Sequence, residues 1–214
     1  MDMEWNDFLN RFVQQPLFHS SMLAVFPEPV SHVQVQLSRW TRTGKLLQVR
    51  RGWYLIAKPW RSQEVPLSVV ANQVVFPSYL STEWALQYYD MIPEYVPNPT
   101  SITTGKGMRF VALETWFIYY HVPPSFFKGY SQEQLGSDKI AIACPEKALL
   151  DKMYLFLQRN LFSMAWLQEL RLQQLEIFDL CRFTELAQSV NTKKFQAAVA
   201  QTCEYIKTLK GETG

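Results

Sequence analysis

Residues 31–56 read SHVQVQLSRWTRTGKLLQVRRGWYLI, and the hydrophobic period changes in the middle of that stretch. Val33, Leu37 and Trp40 recur at helical spacing, which makes them the buried stripe of a helix. Ser31 is its expected N-cap, because a seryl oxygen can accept an orphan backbone N–H. Gly44 is its expected stop. About 12 residues at about 1.5 Å each give a helix about 18 Å long. Beyond Gly44 the pattern is extended, with Leu46–Val49 and Trp53–Ile56 as two short strands. Arg50, Arg51 and Gly52 join them, and Gly52 supplies the positive φ of a tight hairpin.

Toward the N-terminus, Trp5, Phe8, Leu9 and Phe12 keep the spacing of a second buried helix face, which Pro16 should end. A short apolar segment from His19 to Phe26 follows, with Ser20 or Ser21 as its cap. Pro27 and Pro29 then force a turn. Three helices followed by a two-stranded wing is the winged helix-turn-helix arrangement, whose last helix enters the major groove. Residues 1–61 are therefore the expected DNA-binding domain, and residues 62–214 a larger second domain.

Charge points the same way. Between Pro29 and Gln63 stand Arg39, Arg42, Lys45, Arg50, Arg51, Lys58 and Arg61, with no Asp or Glu. A one-sign patch of this kind is the electrostatic footprint of a phosphate-binding protein. The outward side of the helix would present His32, Val35, Ser38, Arg39 and Arg42, flanked by Gln34 and Gln36. Arg can bond guanine O6 and N7, and Gln adenine N6 and N7. Val35 is apolar there, suited to a thymine methyl or to packing beneath the wing. Arg50 and Arg51 would reach phosphates or a narrow minor groove, and Lys45 and Lys58 phosphates. The candidate DNA-binding residues are thus Gln34, Gln36, Ser38, Arg39, Arg42, Lys45, Arg50, Arg51 and Lys58. Five to seven phosphate contacts would give log affinity against log salt a slope of roughly −4 to −6. The plainer alternatives are a solvated helix face and a protein-binding winged helix.

The totals hide this asymmetry. The 214 residues carry a net charge of only +2, yet residues 1–61 hold eight cations and four acids. With 48% apolar and 19% charged residues the chain is globular. Its three cysteines, Cys144, Cys181 and Cys203, form no C-x-x-C pair and read as reduced and mostly buried. The opening MDMEWNDF has no basic and apolar signal pattern. The longest apolar run, VALETWFIYYHV, is broken by Glu114 and falls short of the roughly 20 residues that span a bilayer. A cytoplasmic protein without a membrane partner is expected.

After a short linker near Pro59–Pro66, VVFPSYLSTEWALQYYDMI reads as a short strand, a cap at Ser81 and a helix from Thr82 to about Tyr89. Prolines 93, 97 and 99 hold a loop. Ser101–Thr104, Met108–Leu113, Trp116–His121 and Lys139–Ala143 read as strands. Pro145 suits the first position of the helix PEKALLDKMYLFLQ, with Ala148, Leu149, Met153 and Phe156 inward. The tail reads as helical over roughly 163–175, 179–189 and 192–209. The fold class is α+β, with helices segregated toward the C-terminus.

Catalytic patterns are weak. His19, His32 and His121 are scattered, which argues against zinc, and no phosphate-cradling Gly loop is present. Cys144 with His121 could form a nucleophile and base, but a buried structural thiol is the stronger reading. Glu146, Lys147 and Asp151 could serve a nuclease together with Glu114. The plainer reading is helix-terminus electrostatics plus an i, i+4 pair.

Three segments in order resemble the AbiEi family of type IV toxin–antitoxin antitoxins and related transcriptional regulators. They are LSRWTRTGKLLQVRRGWYLI, PSYLSTEWALQYYDMI and KIAIACPEKALLDKMY. The resemblance spans residues from about 5 to 160. It departs at Trp53, where the family carries a small residue or Val, and at Asp90, where it often has Gly. The tail after about residue 163 carries no matching signature. The resemblance implies a winged helix that binds and represses its own promoter, through Arg39, Arg42, Lys45, Arg50 and Arg51. It also implies a C-terminal domain that counteracts an AbiEii-like nucleotidyltransferase toxin, with or without a stable complex. It implies no catalytic residues, no cofactor and no metal. A metal-dependent nuclease and a stand-alone regulator are the competing expectations.

Overall fold

The computed structural model describes residues 3–61 and 63–212 of the chain. It is a mixed α+β protein in two compact units, Met1–Val70 with Val111–Thr115, and Ala71–Phe110 with Trp116–Gly214.

The first unit runs α1 (Trp5–Phe12), β1 (Leu17–His19), a 3-10 segment (Ser20–Val25), α2 (Val30–Arg42), β2 (Leu46–Arg50) and β3 (Trp53–Ile56). The strands form one antiparallel sheet in the order β1-β3-β2. β1 is too short to show a period in sequence, and it makes the sheet three-stranded. Phe8 organises the core, with ring centroids 5.3 Å from Trp5, 5.0 Å from Phe12, 5.2 Å from Phe18 and 5.0 Å from Trp40. Val33, Leu37 and Trp40 are the buried face of α2, as their spacing requires.

Helix ends differ from expectation for local reasons. α1 stops at Phe12, capped by Val13, before Pro16. α2 starts two residues early, at Val30 after Pro29, so Ser31 lies inside the first turn and is not the cap. The 3-10 segment is capped by His19 rather than by Ser20 or Ser21, because the imidazole accepts the Ser21 N–H at 3.2 Å. Gly44 does end α2, at φ +73°.

The expected linker leads directly into α3 (Leu67–Val74), and the short strand expected within VVFPSYL begins only after Pro77. β4 (Ser78–Leu80), α4 (Thr82–Tyr88), β5 (Thr100–Thr103), β6 (Met108–Ala112), β7 (Thr115–His121), β8 (Tyr130–Leu135) and β9 (Asp138–Ala143) follow. The sheet order is β6-β7-β5-β4-β9-β8. β4 pairs with β9, and β5 with β7, in parallel, while β4–β5 and β8–β9 are antiparallel. β8 escapes sequence reading because YSQEQL is polar and mostly exposed. α5 (Pro145–Leu157) begins on Pro145. The tail holds less helix than its composition suggests at first: α6 (Met164–Glu169), a 3-10 turn (Leu175–Ile177), α7 (Leu180–Ala187) and the long α8 (Lys193–Glu212). Among the described residues no helix is long and apolar enough to cross a membrane. Cys144 and Cys203 are buried, whereas Cys181, in the first turn of α7, is exposed.

Candidate nucleic-acid interface

α2 exposes His32, Gln34, Val35, Ser38, Arg39 and Arg42, on the side away from its buried stripe. Val35 is 49% exposed, so it does not pack under the hairpin. Gln36 departs from the expected set. It is half-buried, and its amide donates to the Met3 carbonyl at 3.4 Å, so it ties the helix to the segment before α1 instead of facing outward. Val33 and Leu37 are four positions apart on α2, and residue 36 lies next to that stripe, which turns its side chain toward the core rim.

The hairpin is held at its turn. Arg50 pairs with Trp53, and a register shift between Gln48 and Arg50 bulges β2. Gly52 sits at φ +83°, and a Cβ there would stand 2.6 Å from His19 Nε2. The Ser20 N–H donates to the Gly52 carbonyl at 2.7 Å, and the His19 ring packs edge-on against Trp53 at 5.3 Å. The turn carrying Arg50 and Arg51 is thereby anchored to the junction of β1 and the 3-10 segment. Arg51 is exposed and Arg50 half-buried.

The cation set divides. Lys45 lies over the rings of Trp5 and Trp60, 4.9 Å and 5.5 Å from their centroids. Lys58 pairs with Glu64. Arg61 Nη2 is 3.2 Å from the same carboxylate, and Arg61 Nη1 donates to the Ile56 carbonyl at 2.9 Å. Lys58, then Arg61, hold the Glu64 carboxyl below its ordinary range. Glu64 follows immediately on the acid-free run, so a charge count that stops at Gln63 misses the residue that engages two of its seven cations. On α2 and the hairpin, Arg39, Arg42 and Arg51 are exposed and Arg50 is half-buried.

Glu146, Lys147 and Asp151, the candidate catalytic groups on α5, are buried. Lys147 and Asp151 are both 0% exposed. Lys147 Nζ donates to Asp151 Oδ1 at 2.5 Å and stands 3.1 Å from the Phe126 ring centroid. Ser81 Oγ and the Tyr79 hydroxyl donate to Asp151 Oδ2 at 2.7 Å and 3.0 Å. Burial drives Lys147 below its usual basicity and Asp151 above the usual carboxylate range, and their mutual attraction opposes both shifts. This is an i, i+4 pair as the spacing implies, but it lies in the core and not on a solvated helix end. Glu146 is buried too, and accepts the Asp179 N–H at 2.8 Å. Burial, aided by Glu146, pushes the Cys144 thiol up to about 12. The His121 Nδ1–H donates to the Gly105 carbonyl at 2.9 Å. Among the described residues no three His, Cys, Asp or Glu side chains gather where they could hold a metal ion.

The chain matches no known protein family and no curated protein.

Proposed function

We propose that the first unit is a winged helix-turn-helix reading head for double-stranded DNA, and that the protein is an antitoxin-like repressor of its own promoter. One observation carries the DNA half: the outward side of α2 is exposed and polar through His32, Ser38, Arg39 and Arg42, and the hairpin that follows bears Arg50 and Arg51 on a turn fixed by Gly52 and His19. The element order helix, strand, 3-10 segment, helix, hairpin also fits a winged head, with β1 completing its sheet. In this reading Gln34, Ser38, Arg39 and Arg42 face base edges and phosphates, and Arg50 and Arg51 grip the backbone. Lys45 and Lys58 take a secondary part, because Trp5, Trp60 and Glu64 already engage them.

The antitoxin half rests on the three resembling segments. All three coincide with core elements: α2 to β3, β4 to α4, and β9 to α5. The second unit then counteracts a nucleotidyltransferase toxin encoded nearby. A downstream reading frame of that class, whose toxicity co-expression relieves, supports this half; an unrelated neighbour removes it.

The DNA half is tested by anisotropy on the protein's own upstream duplex at several salt concentrations. Four arginine contacts predict a slope of about −3 to −4, shallower than the full cation count suggests. Arg50→Ala with Arg51→Ala should weaken all duplexes alike, whereas Arg39→Ala should also relax sequence preference, at a cost of about 1–3 kcal/mol. A flat salt response, or equal affinity after both hairpin substitutions, would reject the reading.

A further inference from the structure

β6 is the edge of the large sheet and β7 is its neighbour. Leu113 and Glu114, both at positive φ, make the two-residue turn between them, the geometry a tight hairpin favours. Along β7, Trp116, Ile118 and Tyr120 therefore point to one face and Phe117 and Tyr119 to the other. Phe117 and Tyr119 are buried, and the Tyr119 hydroxyl donates to the Ala71 carbonyl at 2.8 Å. The opposite face is open: Trp116 is 44% exposed, Tyr120 39% exposed, and Ile118 half-buried between them. At about 3.3–3.4 Å per residue the two exposed rings stand about 13 Å apart, room for a separate planar ligand on each.

A guanidinium group stands at this face. The Arg109 guanidinium lies over the Trp116 ring, 5.5 Å from its centroid. Burial, then the Glu83 carboxylate, hold the Tyr120 phenol above its ordinary range, with Arg159 and Arg109 opposing them. The nearby acid, Glu83, is paired with Lys152. Exposed rings in line on one strand, with the Arg109 guanidinium beside them, match what an unpaired nucleic-acid strand requires: π-faces for its bases and positive charge for its phosphates. A duplex offers no such fit, because its bases are already stacked on one another. An acidic peptide would satisfy the cations but would give the two rings nothing flat to receive.

We infer that the β6–β7 face, through Trp116, Tyr120 and Arg109, binds single-stranded nucleic acid, independently of the arginines of the first unit. The test is fluorescence anisotropy of the full-length protein with labelled oligo-dT and oligo-U of about 12 nucleotides, which form no duplex. Binding should weaken as salt rises, and Trp116→Ala and Tyr120→Ala should each weaken it about tenfold, the size of one lost base–ring stack. Trp116→Leu, which keeps apolar bulk without the indole face, should weaken it as much and covers the case in which the alanine variant folds poorly. Arg50→Ala with Arg51→Ala should leave single-strand binding unchanged while weakening duplex binding. Absence of oligonucleotide binding overturns the proposal, as does binding indifferent to Trp116 and Tyr120, or binding abolished by the hairpin substitutions. A shift from dimer to monomer on Trp116→Leu in sedimentation also overturns it, since the face would then be an interface between copies.

Discussion

Lys147 holds an ammonium group where no solvent reaches, and its partners determine what that costs. Asp151 accepts from Lys147, Ser81 and Tyr79 at once, so the carboxylate is fully hydrogen-bonded, and Lys147 has in addition the face of Phe126. Taking two charges out of water is unfavourable, and the attraction between them roughly offsets that cost only while both are present. Lys147→Met strands the Asp151 charge and should cost about 3–5 kcal/mol in urea unfolding. Replacing both, with Lys147→Met and Asp151→Leu, should recover most of that loss. A single substitution that proves neutral would contradict a paired, buried ammonium. The spacing of Lys147 and Asp151 was legible as one helical turn; their burial was not, because i, i+4 pairs are ordinarily found on exposed helix faces.

At the scale of elements, the hairpin of the first unit shows how a backbone requirement and a packing requirement meet at one residue. Gly52 takes a left-handed φ of +83°, and the space beside it is filled by His19. The first requirement could be read from Arg-Arg-Gly between two extended runs; the second could not, because His19 lies more than thirty residues earlier. Gly52→Ala should lower stability by about 1–2 kcal/mol from the backbone alone, and by more through the contact with His19. Adding His19→Ala should return only the contact share, and thermal melts of the two variants separate the shares. α2 was legible in its buried face for a different reason: Val33, Leu37 and Trp40 need only the helical period to find one another. Its first residue and the inward turn of Gln36 depend on Pro29 and on Met3, which the period does not encode. β1 and β8 were missed because three residues carry no period and a polar edge strand carries no apolar alternation.

Across the whole molecule, a net charge of +2 conceals a balance of +4 over residues 1–61 and −2 over residues 62–214. Glu64 partly offsets them by engaging Lys58 and Arg61. The Lys58–Glu64 pair is well exposed, so it is weak and able to exchange partners. Glu64→Gln should release Lys58 and steepen the salt dependence of duplex binding by about one unit of slope, and an unchanged slope would mean that Lys58 faces away from the DNA. The sequence alone determined the fold class, the buried face of α2, the hairpin after it, the helix opened by Pro145 and the concentration of positive charge. These follow from local rules, since period, turn chemistry and charge count each act within a few neighbouring residues. Tertiary structure alone decided that Glu64 engages Lys58 and Arg61, that Lys147 and Asp151 are a core pair, and that Trp116 and Tyr120 share a partly exposed sheet face. Those properties depend on burial and on partners distant in sequence, and burial is a property of the packed chain rather than of any segment of it.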